Sequence, residues 1–238
     1  IDLIKNKKSV ELVEKYIQFL CKGLEIEDRK EEIERILVEE IENNIEEGFH
    51  SELIFTLWFN YNKESLERVI AMSNHAVGCF PQSKALWMTR ISLITSQLSS
   101  LMDSVDENVL VQVRMIIQKA VECLSAEDVN ECLSSYVAFI YASQLPIEIT
   151  LNEFEYICSI QCSGMKDIFA FMLSSLSDIQ IVRQFYSRIL NNQKYFLLPV
   201  IIQFELMQEN VDYLIVKKLF EKSIIFDPNS DGKINHLL

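Results

Sequence analysis

The sequence predicts an all-α fold, a solenoid of about six stacked helix pairs, and three observations carry that expectation. The 238-residue chain holds only five glycines and four prolines, too few for a protein with many tight turns between strands. Long stretches keep their apolar residues at helical periodicity without a break. Six segments share the shape of a helix end, and their anchors Ile41, Val77, Val121, Ile157, Ile189 and Ile224 stand 36, 44, 36, 32 and 35 residues apart. Spacings in this range mark helix-pair repeats, in which no unit buries its apolar face alone and each must stack on its neighbours. With 49% apolar residues the chain can bury a sizeable core.

Taken in order, the pairs are expected at 9–47, 50–80, 83–124, 126–162, 163–191 and 193–228, all within one domain spanning 1–238. Each anchor belongs to the second helix of its pair. The first helices place large residues three apart: Val13, Tyr16 and Phe19; Trp87, Arg90 and Leu93; Leu133, Tyr136 and Phe139; Leu198, Ile201 and Phe204. Such residues lie along one face, where they can wedge against the partner helix. The segments "LIFTLWFNY" and "KDIFAFML" supply the first helices of the second and fifth pairs. Punctuation agrees, with Pro81 and Pro228 after second helices, Asn62 or Ser83 able to cap a helix start, and Gly48 and Gly164 between helices.

The formal net charge is −13, and in the stretch from Glu25 to Glu47 eleven acids face three bases. A phosphate-gripping protein needs a basic stripe, because releasing counterions supplies most of the affinity. Direct nucleic-acid binding by this segment is therefore not expected, and a basic or extended peptide of a partner protein is the better ligand. No run of eighteen apolar residues occurs, so no membrane-spanning helix is expected. The chain opens on Ile1 without a secretion signal and reads as a piece of a longer protein. Apolar positions at the two ends of a cut solenoid need capping, which allows homodimerisation.

Six cysteines, Cys21, Cys79, Cys123, Cys132, Cys158 and Cys162, fall irregularly in apolar helical stretches and read as reduced, packed small hydrophobes. Cys158 and Cys162, one helical turn apart, are placed to share a metal, yet His50, His75 and His236 are scattered and no CxxC occurs, so zinc is not predicted. The last residues, "DPNSDGKINHLL", put Asp227, Asn229 and Asp231 at positions one, three and five of a calcium loop, with Gly232 at six. Position twelve is Leu238 where a bidentate Glu is required. A helix-closing turn is the preferred reading, and calcium binding at these three residues is carried as the remote alternative.

Enzyme chemistry finds no foothold. There is no Gly-rich phosphate loop, no GxSxG elbow and no HExxH helix, and acid pairs such as Glu31 and Glu32, or Glu153 and Glu155, read as solvated helix faces. The reading is a binding protein with no catalytic residues and no cofactor.

A resemblance narrows it. The aromatic spacing of the first helices, kept best in "VIIQFELMQEN" with Glu205 after Phe204 and followed by "VKKLFEKSIIFDP", resembles the half-a-TPR (HAT) repeat of RNA-processing assemblies. In that family the second helix carries an early basic residue, and Arg35, Arg114, Arg183 and Lys218 stand six or seven residues before their anchors. The leading Trp is kept clearly only at Trp87 and the acid only at Glu205. The segments "YIQFLCKG" and "LERVIAMSNHAVGCFPQSKALWMTRISLI" are similar, in order, to HAT regions of the small-subunit processome, the U-three small nucleolar ribonucleoprotein. The resemblance implies a right-handed TPR-like α-α superhelix and a non-catalytic nucleolar scaffold in small-subunit ribosomal RNA maturation. It also implies partners that include WD40-repeat proteins. HAT adaptors of pre-mRNA splicing or of cleavage and polyadenylation are the alternative.

Overall fold

The computed structural model describes residues 9–25, 29–61, 65–101 and 107–225, with backbone alone at 97–101 and 107–109. Among the described residues there are twelve α-helices and no strand. They are α1 (Val10–Gly23), α2 (Lys30–Glu46), α3 (Glu52–Tyr61), α4 (Leu66–Cys79), α5 (Lys84–Leu101), α6 (Glu107–Cys123), α7 (Val129–Ala142), α8 (Ile147–Ser159), α9 (Met165–Ser175), α10 (Ile179–Asn191), α11 (Leu198–Leu206) and α12 (Tyr213–Ile225). A 3₁₀ turn, Tyr195–Leu197, leads into α11. Two by two, the helices lie inside the six segments marked by the repeat spacing.

Packing divides the chain after Ser125 into two compact units, α1 to α6 and α7 to α12, where the sequence reading has one continuous domain. The strong contacts run between helices one or two apart in sequence, so cohesion is local to a few helices. Inside each unit the pattern is the same. α1 packs on α3 and α3 on α5 in one unit, α7 on α9 and α9 on α11 in the other; α1, α3, α5, α7 and α11 also pack on the helix that follows them, while α9 meets α10 through Phe169 and Phe185.

In the first unit, the Ser9 hydroxyl accepts the Leu12 N–H at 3.3 Å and starts α1. Val13, Ile17 and Leu20 then pack with Leu37 and Ile41 of α2 and Ile54 and Trp58 of α3. The expected wedge of Val13, Tyr16 and Phe19 is corrected here, for Tyr16 is 44% and Phe19 70% exposed. Positions four and seven beyond Val13 keep its face, whereas each step of three turns the stripe by about 60° around the helix. Farther on, Ser83 caps α5 by accepting the Leu86 N–H at 3.4 Å. Trp87 is buried and donates its indole N–H to the Pro81 carbonyl at 2.8 Å. Arg90 donates to the Ser73 hydroxyl at 3.1 Å and the Ile70 carbonyl at 3.4 Å, fastening α5 to α4.

In the second unit, Leu133, Tyr136 and Phe139 are all buried, as the wedge reading requires. Phe185 of α10 sits between Phe154 of α8 and Phe169 of α9, with ring centroids 5.7 and 5.6 Å away. Gly164 opens α9 with its N–H donated to the Asn130 side-chain oxygen at 2.9 Å; a Cβ there would meet that same side chain at 2.9 Å, so any other residue has to push Asn130 aside. On α12, Val216 and Leu219 are buried, but the expected anchor Ile224 is 74% exposed. Among the described residues α12 packs chiefly on α11, which leaves Ile224 uncovered.

Between α10 and α11 sits a charge with no access to water. Glu205 is fully buried, and its carboxylate accepts from Arg183 Nε at 3.0 Å, Arg183 Nη2 at 2.8 Å and the Tyr186 hydroxyl at 2.8 Å. These two-pronged bonds raise the pKa of Arg183, and burial, then the bond to Glu205, raises that of Tyr186. Arg183 and Glu205 are the basic and acidic positions singled out by the repeat resemblance. Replacing Arg183 by Met leaves a buried carboxylate uncompensated and is expected to lower the stability of this unit by about 3–5 kcal/mol. The double replacement Arg183→Met with Glu205→Leu is expected to recover most of that loss. Urea unfolding of the two variants checks it, and equal destabilisation by both would contradict the argument.

Candidate functional site

Helix α2 builds an acidic recess. Glu31 and Glu34, and again Glu39 and Glu42, stand three residues apart, and the second couple follows the first by eight residues, which places all four along one broad face of the helix. With Arg35, Val38 and Tyr61 of α3 they line an open groove of about 660 Å³. Arg68 of α4 approaches Glu42 at 3.9 Å, so the rim is bridged at one point. The remainder is strongly electronegative and suits a basic segment laid along the helix.

Two further recesses are more apolar. One, of about 590 Å³, lies among α4, α5 and α6, where Trp87, Ile94, Met115 and Ile116 form the walls and Arg90 and Lys119 add positive charge. The other, of about 490 Å³, lies on α11 and α12 around Ile202, Leu206, Met207 and Phe220. Met207, Tyr213, Leu214, Ile224 and Ile225 beside it are 70–76% exposed. On α1, Leu12, Tyr16 and Phe19 form a comparable outward stripe. Contiguous apolar surface of this kind marks places where proteins associate.

A third arrangement could not be read from spacing alone. His75 and Cys79 are four residues apart on α4 and therefore share a face. His50 comes from the turn between α2 and α3, where Gly48 adopts a φ of +81° and the Phe49 N–H is donated to the Asn44 carbonyl at 2.8 Å. That left-handed residue turns the chain back so that His50 lies over α4. The Cys79 sulfur is 3.6 Å from His50 Nδ1 and 3.7 Å from His75 Nε2. The imidazole rings meet edge to face at 4.9 Å, and both lean on the buried Phe55, at 5.4 and 5.7 Å. His50 is half-buried, while His75 and Cys79 are exposed. His50 and His75, scattered in the sequence, are thus neighbours in the fold. The cue available was the His-x-x-x-Cys spacing in "SNHAVGC"; nothing in the sequence signals that His50, 25 residues before His75, joins it.

The other sequence expectations fall as follows. The calcium-loop candidates Asp227, Asn229 and Asp231, and with them His236, Pro228 and the tail to Leu238, lie outside the described residues, as does Asn62. Cys158 and Cys162 are not one helical turn apart, because α8 stops at Ser159 and Cys162 sits in the turn beyond it. None of the six cysteines is in a disulfide; Cys132 and Cys158 are buried as expected, Cys21, Cys123 and Cys162 are half-buried, and Cys79 departs from the expectation by being exposed. Burial pushes the Cys158 thiol up to about 12. Glu153 is no solvated acid either: it is 7% exposed and accepts the Tyr136 hydroxyl at 2.8 Å, since α8 turns this position toward α7. Its neighbour Glu155 joins Glu148 in binding Arg188 of α10, at 3.3 and 2.9 Å. Among the described residues no helix is long and apolar enough to cross a membrane.

Comparison with known proteins found no matching family model, no matching curated protein and no matching solved structure.

The thiols offer a direct check on this packing. At pH 8 iodoacetamide is expected to modify Cys79 in the folded, chelator-treated protein well before Cys132 or Cys158, which react only once denaturant opens the core. Peptide mapping by mass spectrometry reads the order, and early native-state labelling of Cys158 would contradict its placement.

Proposed function

We propose that the chain is a non-catalytic protein-binding scaffold of an RNA-processing complex, a HAT-like solenoid working in small-subunit ribosomal RNA maturation in the nucleolus. The observation that carries the binding role is the open acidic groove on α2, fixed in place by helix-on-helix stacking and shaped for an extended or helical segment of a basic protein. The repeat reading is supported by the pairing of the twelve helices and by the bond between Arg183 and Glu205. The assignment to ribosomal RNA maturation rests on the sequence resemblance. In this reading the superhelix spreads recognition over several repeats, the electronegative groove gathers a basic partner segment by long-range attraction, and the apolar faces of α1 and α12 join further protein subunits, WD40-repeat proteins among them, or a second copy of the chain.

Affinity capture of the full-length protein from its own cells at moderate salt, followed by mass spectrometry, tests the assignment. Recovery of the U-three ribonucleoprotein with WD40-repeat processome subunits supports it; recovery of splicing or polyadenylation factors instead moves the function to messenger RNA. For a captured basic partner, Lys in place of Glu31, Glu34, Glu39 and Glu42 is expected to slow association at least about tenfold at low salt, with the difference shrinking as salt is raised. Unchanged association rates across the salt series would remove the groove from the binding site.

A further inference from the structure

The geometry points to a zinc-binding site formed by His50 Nδ1, His75 Nε2 and the Cys79 sulfur, with a fourth position open to water. A tetrahedral zinc ion holds sulfur at about 2.3 Å and imidazole nitrogen at about 2.0–2.1 Å, which sets sulfur-to-nitrogen edges of about 3.5 Å. The two such edges in the structure are 3.6 and 3.7 Å. All three donor atoms lie within 4.8 Å of one another, so the nitrogen-to-nitrogen edge closes by a small turn of the exposed His75 ring.

The surroundings support the same donors. His50 Nε2 stands 3.4 Å from the Ile45 carbonyl, at the long end of a hydrogen bond. A proton placed there leaves the lone pair on Nδ1, the nitrogen that faces Cys79. This is the arrangement in which a backbone carbonyl orients a metal-bound histidine. Phe55, buried at 0% exposure, backs both imidazoles, so the donors are held by the core of the unit while the site itself opens to solvent. One thiolate with two imidazoles suits a borderline-soft ion and excludes calcium and magnesium, which take oxygen ligands. Binding releases the thiol proton, and affinity rises with pH accordingly. The ion would tie the turn at Gly48–His50 to the last turn of α4, a staple across the second helix pair. The competing arrangement is metal-free, with the Cys79 sulfur making weak hydrogen bonds to both rings.

The test uses the full chain, stripped with a chelator and titrated with Co²⁺ as a spectroscopic probe and then with Zn²⁺. One equivalent of Co²⁺ is expected to give a thiolate-to-cobalt charge-transfer band and intense visible bands of tetrahedral geometry, and Zn²⁺ should abolish both by displacement. Cys79→Ser is expected to lose the charge-transfer band, and His75→Gln, at an exposed position that leaves the fold intact, to weaken binding by at least about tenfold. Zn²⁺ in excess is expected to raise Tm of the wild type by several degrees and that of Cys79→Ser by much less. No charge-transfer band in the wild type, or a band that persists in Cys79→Ser and so belongs to another cysteine, overturns the proposal. Far-ultraviolet circular dichroism of both variants confirms that lost binding is not lost folding.

Discussion

A short helix with apolar residues along one side cannot hold its shape alone in water, and this constraint organises both units. Each buried Leu, Ile or Phe contributes about 1.5–3 kcal/mol when its side chain leaves water, but only if another helix covers it. The packing of α1 on α3 and α7 on α9 supplies that cover sideways, while the helix next in sequence supplies it from below. The rule also explains where cover runs out. Phe19 on α1 and Ile224 on α12 stand exposed, on faces that no other described helix covers. Their apolar faces are surfaces on which a further helix can stack by the same rule.

Against this apolar background the few buried polar groups carry much of the specificity. Burying Glu205 is costly unless its charge is matched, and Arg183 matches it with two parallel bonds while Tyr186 supplies a third. Only one relative placement of α10 and α11 allows all three bonds, so the triad sets the register between these helices. Tyr136 with Glu153 binds α7 to α8 in a related manner, and Arg90 with Ser73 binds α5 to α4. The bonds of Arg188 to Glu148 and Glu155 are more exposed and contribute at most about 1 kcal/mol. Burial, rather than the number of ion pairs, decides which of them define the structure.

The two functional features of the first unit arise differently. The acidic groove follows from one helix: the period of α2 puts Glu31, Glu34, Glu39 and Glu42 on a common face, and the helix has only to stay folded for the field to exist. The cluster of His50, His75 and Cys79 needs three parts in register, namely the end of α4, the turn after α2 and the core aromatic Phe55 behind them. The groove would attract a macromolecule over a distance, whereas the cluster would select an ion by donor type and spacing. Both share α2 as a support, the groove on its face and the cluster through the turn at its end.

The sequence by itself determined the helical class, because periodicity and scarce glycine and proline are local signals that survive without a partner. It also determined which face of α2 is acidic, and it singled out Arg183 and Glu205. Only tertiary structure decided that those two meet, that Glu153 is buried, that Ile17 and Leu20 rather than Tyr16 and Phe19 follow Val13 into the core, and that the chain packs as two units. It alone brought His50 to His75 and Cys79. Each of these depends on which helix covers which, and on the backward turn at Gly48, and neither leaves a pattern at fixed spacing along the chain.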